Sequence, residues 1–192
     1  MRLQYPQDLF LEFGVAAGFS VNMTAELRGR RYPRAQPSSK VWGFDWFHGL
    51  PEMWKDSGHG ASRGAFSENG VVPPVSRRVE LIPGLFNETL EPFLAAHPKD
   101  SVSFANIDMD LYSGALYVLR HLLPRLRIGS ILHFHELVWT RRGGLYCRGA
   151  DELRALWEVV HSVPGLQLEL LPLHQRDSAS ALLVVTAIPL NS

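Results

Sequence analysis

Short apolar runs alternate along the chain with segments whose apolar residues recur at helical spacing. LFLEFGV (9–15), KVWGFDW (40–46), RRVELIP (77–83), SVSFANID (101–108) and the run at 130–136 within GSILHFHEL read as strands bounded by Gly, Pro and acidic residues. Between them lie predicted helices over Ser20–Arg28, over FNETLEPFLAAH (86–97, capped near Asn87), and over 113–126. DELRALWEVVHSV (151–163) is a further helix, with Leu153, Leu156, Trp157 and Val160 on one face. LQLELLPL (166–173) and SALLVVTAI (180–188) stand too close for a crossover helix, so they must pair antiparallel as a hairpin. The pattern predicts an α/β fold: a Rossmann-like, doubly wound, seven-stranded sheet, mostly parallel with an antiparallel last strand. No repeat or second domain interrupts it, so residues 1–192 are expected to form one domain. Residues 55–78 carry no period, and a stretch that long is expected to be a functional lid or a mobile loop.

Composition narrows the class. Nineteen basic residues balance nineteen acidic ones, which leaves no bias toward a polyanion, and nucleic acid is not an expected partner. The one basic cluster, ELRGRRYPR with Arg28, Arg30, Arg31 and Arg34, reads as a solvated helix end and loop. A single cysteine, Cys147, excludes an internal disulfide and a CxxC zinc site. The N-terminus lacks an apolar signal core, and no apolar run approaches the ~20 residues that span a bilayer, so the expectation is a reducing, cytosolic setting without a membrane. The sequons at Asn22 and Asn87 are read as chance matches in that setting.

Chemistry gathers at the predicted strand ends. Glu12, Gly14 and Gly18 follow the first strand as E-x-G-x-x-x-G, where missing side chains let a ligand approach the backbone. The spacing is not G-x-G-x-x-G, and Ala16 and Ala17 argue against a pyrophosphate ligand such as NAD or FAD. Asp45 ends the second strand, where a carboxylate can accept the hydroxyls of a ribose, and Trp46 or Phe47 can flank a base or fill the core. His133, His135 and Glu136 end the fifth strand, and His133 and His135 share a face. His133, deeper in the strand, reads as a core residue. His48, His59 and His174 fall in loops and read as surface residues.

Four ordered blocks, EFGVAAGFS, VWGFDWFHGLP, LIPGLFNETL and NIDMDLYSGALYVLRHLLPRLRIGSIL, resemble those of the macrocin O-methyltransferase family, which belongs to the Class I S-adenosylmethionine-dependent methyltransferases. The likeness runs from about residue 10 to about 137, and a seven-stranded sheet with a reversed last strand is the ordering typical of that class. The resemblance implies methyl transfer from S-adenosylmethionine to a hydroxyl of a small molecule, of sugar or other natural-product type, with a magnesium ion. It places Glu12, Gly14 and Gly18 at the methionine end of the cofactor, Asp45 at the ribose, and Gly84, Leu85 and Phe86 near the adenine. It makes Asp108 a metal ligand that can also take the acceptor proton, while Asp110 is placed to cap the next helix. Family members often oligomerise, and little chain precedes the first strand here, so a homo-oligomer with a partner's contribution to the acceptor pocket is a further expectation.

In the family the other two metal ligands are paired aspartates, and here those positions hold His135 and Glu136. Three carboxylates suit magnesium, whereas an Asp108–His135–Glu136 set introduces a nitrogen that suits softer divalent ions. Three readings stay open at this point: a softer divalent metal, His135 as the base that takes the hydroxyl proton, or a structural remnant of a lost activity. Two competing functions follow, a domain that binds S-adenosylmethionine or S-adenosylhomocysteine without transferring methyl groups, and a metal-dependent hydrolase built on the histidines. The acceptor pocket is expected from residues 55–78 and 137–150, the latter with Arg141, Arg142 and Tyr146.

Overall fold

In the computed structural model, residues 8–32, 40–55, 61–135, 137, 139–141, 144–146, 150–171 and 180–189 are described. Among them, β1 (Leu9–Phe13) is buried along its whole length in the interior of a seven-stranded sheet. Around it run β2 (Val41–Asp45), β3 (Val79–Pro83), β4 (Val102–Ile107) and β5 (Ile131–Phe134), all parallel. β6 (Trp139–Arg141) and β7 (Gly144–Tyr146) form a separate two-stranded ribbon that the hydropathy pattern does not predict. The hairpin of β8 (Gln167–Leu171) and β9 (Ala181–Ala187) completes the sheet in the order β3-β2-β1-β4-β5-β9-β8. β9 is the reversed strand, antiparallel to both neighbours, as the short connection requires.

The alternation of strand residues sends side chains to two packed faces. Leu9, Leu11 and Phe13 point into the larger core with α2 (Phe86–Ala96), α3 (Tyr112–Leu122) and α4 (Ala150–Ser162). Phe10 points the other way, into a smaller core under α1 (Phe19–Arg31). Helices therefore cover both faces, which defines a doubly wound sheet. In α3 the buried residues are Ala115, Val118, Leu119 and Leu122, one helical stripe, and Pro124 in the 3-10 turn Leu123–Arg125 stops the helix short of the predicted 126. Phe13 is fully buried, stacked on Phe44 with ring centroids 5.0 Å apart and edge-on to Phe86 at 5.7 Å. Burying each such ring stabilises the fold by about 2–3 kcal/mol.

Two local expectations are corrected. α2 begins one residue before Asn87, with Leu85 at its N-cap and no side-chain cap, so Asn87 does not cap it. α3 starts after Leu111, and Asp110 does not cap it either, because its backbone turns into the left-handed region at φ 62°. Within residues 55–78 the described part, from 61 onward, is pinned: Leu50 N–H donates to Ala65 O, Gly64 N–H to Leu50 O, Gly70 N–H to Phe47 O and Ser76 N–H to Asn22 Oδ1. Residues 56–60 with His59, and also Arg34, Glu136, Arg142, Cys147 and His174, lie outside the described residues. No helix among the described residues is long and apolar enough to cross a membrane.

Candidate active site

The parallel strands end together, and beyond their carboxyl ends lies a cavity of about 580 Å³. That location is the one the open α/β sheet leaves free for a ligand, and the volume falls within the usual range for cofactor sites. One wall is the loop after β1, Gly14 to Ala17. The next is Asp45 and Trp46 after β2, and then Gly84, Leu85 and Phe86 after β3. Asp108, Met109 and Asp110 after β4 and His135 after β5 close the far side. Leu50, Trp54 and Phe66 add an apolar lip, opposite Phe19 at the start of α1.

The β1 loop is shaped by contact with β4. Gly14 has φ +86°, and a Cβ there would run into the carbonyl oxygen of Asp108, so only glycine fits. The same turn ends β1 two residues before the predicted Val15. Asp45 then secures the loop: its Oδ2 accepts the N–H groups of Val15 (2.8 Å) and Ala16 (2.9 Å), and its Oδ1 accepts that of Phe47 (2.7 Å). A carboxylate offers about four acceptor positions, so one stays available to a ligand hydroxyl while the loop is held. Trp46 is oriented by its indole N–H, which donates to Gly49 O.

Two residues expected at the cofactor do not border the cavity. Gly18 caps α1 at φ +82° and packs on Pro73 and Val75. Glu12 is fully buried one layer below, where its Oε1 accepts the hydroxyl of Ser20 at 2.6 Å, and it is Ser20 that reaches the cavity. The reason is register: on a strand pointing at the cavity, Glu12 lies two residues before the turn. Burial pushes its carboxyl up to about 7, against the opposing pull of Ser20 and Asn106.

That deeper layer forms a polar row across three strands. Glu12 of β1 pairs with Asn106 of β4, and Asn106 pairs with His133 of β5, all in one register and on one face. Asn106 Oδ1 lies 2.7 Å from His133 Nδ1 and 3.0 Å from His135 Nε2, so both imidazoles converge on one amide. His133 is half-buried rather than a core residue, and burial and the neighbouring His135 ring push it down to about 4. His135 faces the cavity, with its Nδ1 3.7 Å from Asp108 Oδ2. Burial and the nearby Asp45 raise the Asp108 carboxyl, while His135 pulls it back.

Sequence reasoning passes over Asn106 and Glu152. Asn106 is the one strongly polar residue inside an apolar strand, two positions before Asp108 and so on its face, which was the available signal. Glu152, in the first turn of α4, looks like an ordinary helix-start acid, yet it is almost completely buried. Its Oε1 accepts the N–H groups of Met109 (3.0 Å) and Asp110 (3.3 Å), which fixes the turn that carries Asp108. Burial raises Glu152 to about 8.

The cavity's donors meet the two groups that the resemblance implies unequally. A sulfonium nucleoside fits: close backbone at Gly14–Ala17, an acceptor position on Asp45, apolar surfaces of Trp46 and Phe86, and the carboxylates of Asp45, Asp108 and Asp110 around a positive charge. For a divalent ion the described residues supply part of a ligand set. Asp108 and His135 supply two donors, no group of three His, Cys, Asp or Glu side chains comes together among the described residues, and such ions take four to eight ligands. Glu136, the third expected ligand, lies outside the described residues.

Comparison with known proteins agrees with this geometry. A family described as a methyltransferase domain matches residues 11–137, from β1 through the end of β5. The chain belongs to the Class I methyltransferases. An 8-demethyl-8-(2,3-dimethoxy-α-L-rhamnosyl)-tetracenomycin-C 4'-O-methyltransferase of Streptomyces olivaceus is 31% identical over 144 residues, 66% of this chain and 51% of that protein. The chain thus spans about half the length of the curated relative it matches. Among solved structures, the calicheamicin methyltransferase CalS11 superposes with a TM-score of 0.69 at 27% identity, covering 92% of this chain and 72% of that chain. The O-methyltransferase NovP has a TM-score of 0.62 at 19% identity, covering 93% and 72%, and shares the fold.

Proposed function

We propose that this methyltransferase transfers the methyl group of S-adenosylmethionine to a hydroxyl of a small, sugar-bearing natural product, with His135 taking the hydroxyl proton. The reading rests on one observation: a single cavity joins a nucleoside-type wall at the β1–β3 tips to a proton-accepting pair, His135 and Asp108, at the β4–β5 tips. It is supported by the relatives, since the Streptomyces olivaceus protein is named as acting on a rhamnosyl group and CalS11 as a TDP-rhamnose 3'-O-methyltransferase. A small-molecule acceptor suits the apolar lip of Leu50, Trp54 and Phe66.

When bound, S-adenosylmethionine supplies an electrophilic methyl group on a positively charged sulfur. The chain's part is to bind, align and move a proton. The Gly14–Ala17 backbone and Asp45 hold the nucleoside. Asp108 and Asp110 favour the positive charge, and Trp46 and Phe86 enclose the base. The acceptor hydroxyl gives its proton to His135 Nδ1 as its oxygen bonds to the methyl carbon and the carbon–sulfur bond breaks. Asp108, beside that nitrogen, stabilises the imidazolium formed. Holding the acceptor oxygen in line with the methyl group would supply much of the acceleration. No step is routed through a metal.

The test is turnover. The protein is incubated with S-adenosylmethionine and a panel of rhamnosylated aromatic polyketides, and S-adenosylhomocysteine and methylated glycoside are followed by mass spectrometry. Turnover that is lost in His135→Gln supports the proposal. Cofactor binding without turnover across the panel favours the binding-only domain instead, and turnover that persists in His135→Gln removes histidine from the chemistry.

A further inference from the structure

We infer that Asn106 is a positioning residue that fixes the tautomer and ring orientation of His135, so that the lone pair on Nδ1 is presented to the cavity. The inference rests on the reading of His135 as the base and deepens it. Both imidazoles approach the same amide atom, Oδ1, at 2.7 and 3.0 Å, and Asn106 is only 2% exposed, so water does not compete for it. An amide oxygen accepts and never donates. His133 must therefore direct Nδ1–H at it, and His135 must direct Nε2–H.

The orientation of the amide follows from its other side. Glu12 is the register partner of Asn106 on β1, and the Asn106 side chain favours the ionised form of that carboxylate, as an NH2 group does and a carbonyl does not. With NH2 toward Glu12, the oxygen faces the two histidines. The consequence for His135 is specific. Asp108 Oδ2 lies 3.7 Å from Nδ1 and would draw the ring hydrogen onto that nitrogen, where no lone pair would remain for a substrate hydroxyl. Asn106 opposes this by holding the hydrogen on Nε2. The amide itself takes no proton, so the proton from the acceptor stays on the cavity side of the ring. An aspartate or glutamate commonly orients a catalytic histidine; here a neutral amide does so.

The test is the imidazole nitrogen spectrum of protein labelled with 15N-histidine, recorded at pH 8, with His135 assigned by loss of its signals in His135→Gln. The wild-type protein should show His135 with hydrogen on Nε2, in one dominant tautomer. Asn106→Leu, similar in volume, should let the hydrogen pass to Nδ1 or split between the two nitrogens, whereas Asn106→Asp, which still accepts, should restore the Nε2–H form. With a turned-over acceptor, kcat of Asn106→Leu should fall by about 10- to 100-fold, with KM for S-adenosylmethionine within about twofold. A wild-type spectrum with hydrogen on Nδ1 overturns the inference without any variant, even if Asn106→Leu does not fold. An unchanged tautomer in Asn106→Leu overturns it as well. Failure of the base assignment is separately visible as full turnover in His135→Gln.

Discussion

On the β1–β2 side of the cavity the wall is backbone: Gly14–Ala17 approach closely, and Asp45 gathers the amides of Val15, Ala16 and Phe47. On the β4–β5 side it is side chain: His135 and Asp108 face the space, held from beneath by Asn106 and, through the Met109–Asp110 turn, by Glu152. A cofactor common to a large class needs an adaptable grip, and backbone supplies one that does not depend on residue type. A reacting hydroxyl needs one nitrogen in one protonation form, which only ordered side chains supply. The two sides should therefore fail differently when altered.

The largest effect belongs to the reactive side. His135→Gln should lower kcat by about 10²- to 10⁴-fold, with affinity for S-adenosylhomocysteine unchanged by calorimetry. A loss of both together would merge the two sides. Next is the backbone side. Gly14→Ala sets a Cβ against the Asp108 carbonyl at a positive φ and should cost about 3 kcal/mol or more, seen as a drop in Tm. Asp45→Ala releases three amides and one ligand acceptor, and should weaken S-adenosylhomocysteine by about 10- to 100-fold, since each hydrogen bond to a charged group is worth about 1.5–3 kcal/mol.

A separate effect is a pH slope. Glu152 holds its proton up to about 8 in the folded chain but releases it near 4.5 when unfolded. Between those values the folded state binds more protons, so raising the pH favours unfolding, by about 1.4 kcal/mol per pH unit for this one group. Glu152→Gln, which keeps an acceptor for Met109 and Asp110, should flatten the fall in chemical-denaturation stability between pH 5 and 8. An unchanged slope would mean that Glu152 is ionised and charged under the Asp108 turn.

The sheet and its reversed strand were legible because strand and helix periods differ and because nine residues separate Leu171 from Ala181, too few for a crossover. The cavity walls at Gly14 and Asp45 were legible from their places at strand ends, and those at Gly84 and Asp108 through the family resemblance. Helix starts were not: Asn87 and Asp110 have the right chemistry for caps, but packing of Phe86 and the turn at Asp110 move the starts elsewhere. Glu12 was placed at the cofactor by the family resemblance, and its position two residues before the turn leaves it buried beneath the cavity. Asn106 escaped notice because its partners His133 and His135 lie 27 and 29 residues away, and only strand register brings them together.

The most direct test of this division is calorimetric titration of S-adenosylhomocysteine into the wild-type protein, His135→Gln and Asp45→Ala. The account predicts one site per chain, the same affinity in wild type and His135→Gln, and clearly weaker binding in Asp45→Ala. Wild-type protein that takes up no S-adenosylhomocysteine, or Asp45→Ala that binds it as tightly as wild type, would contradict it.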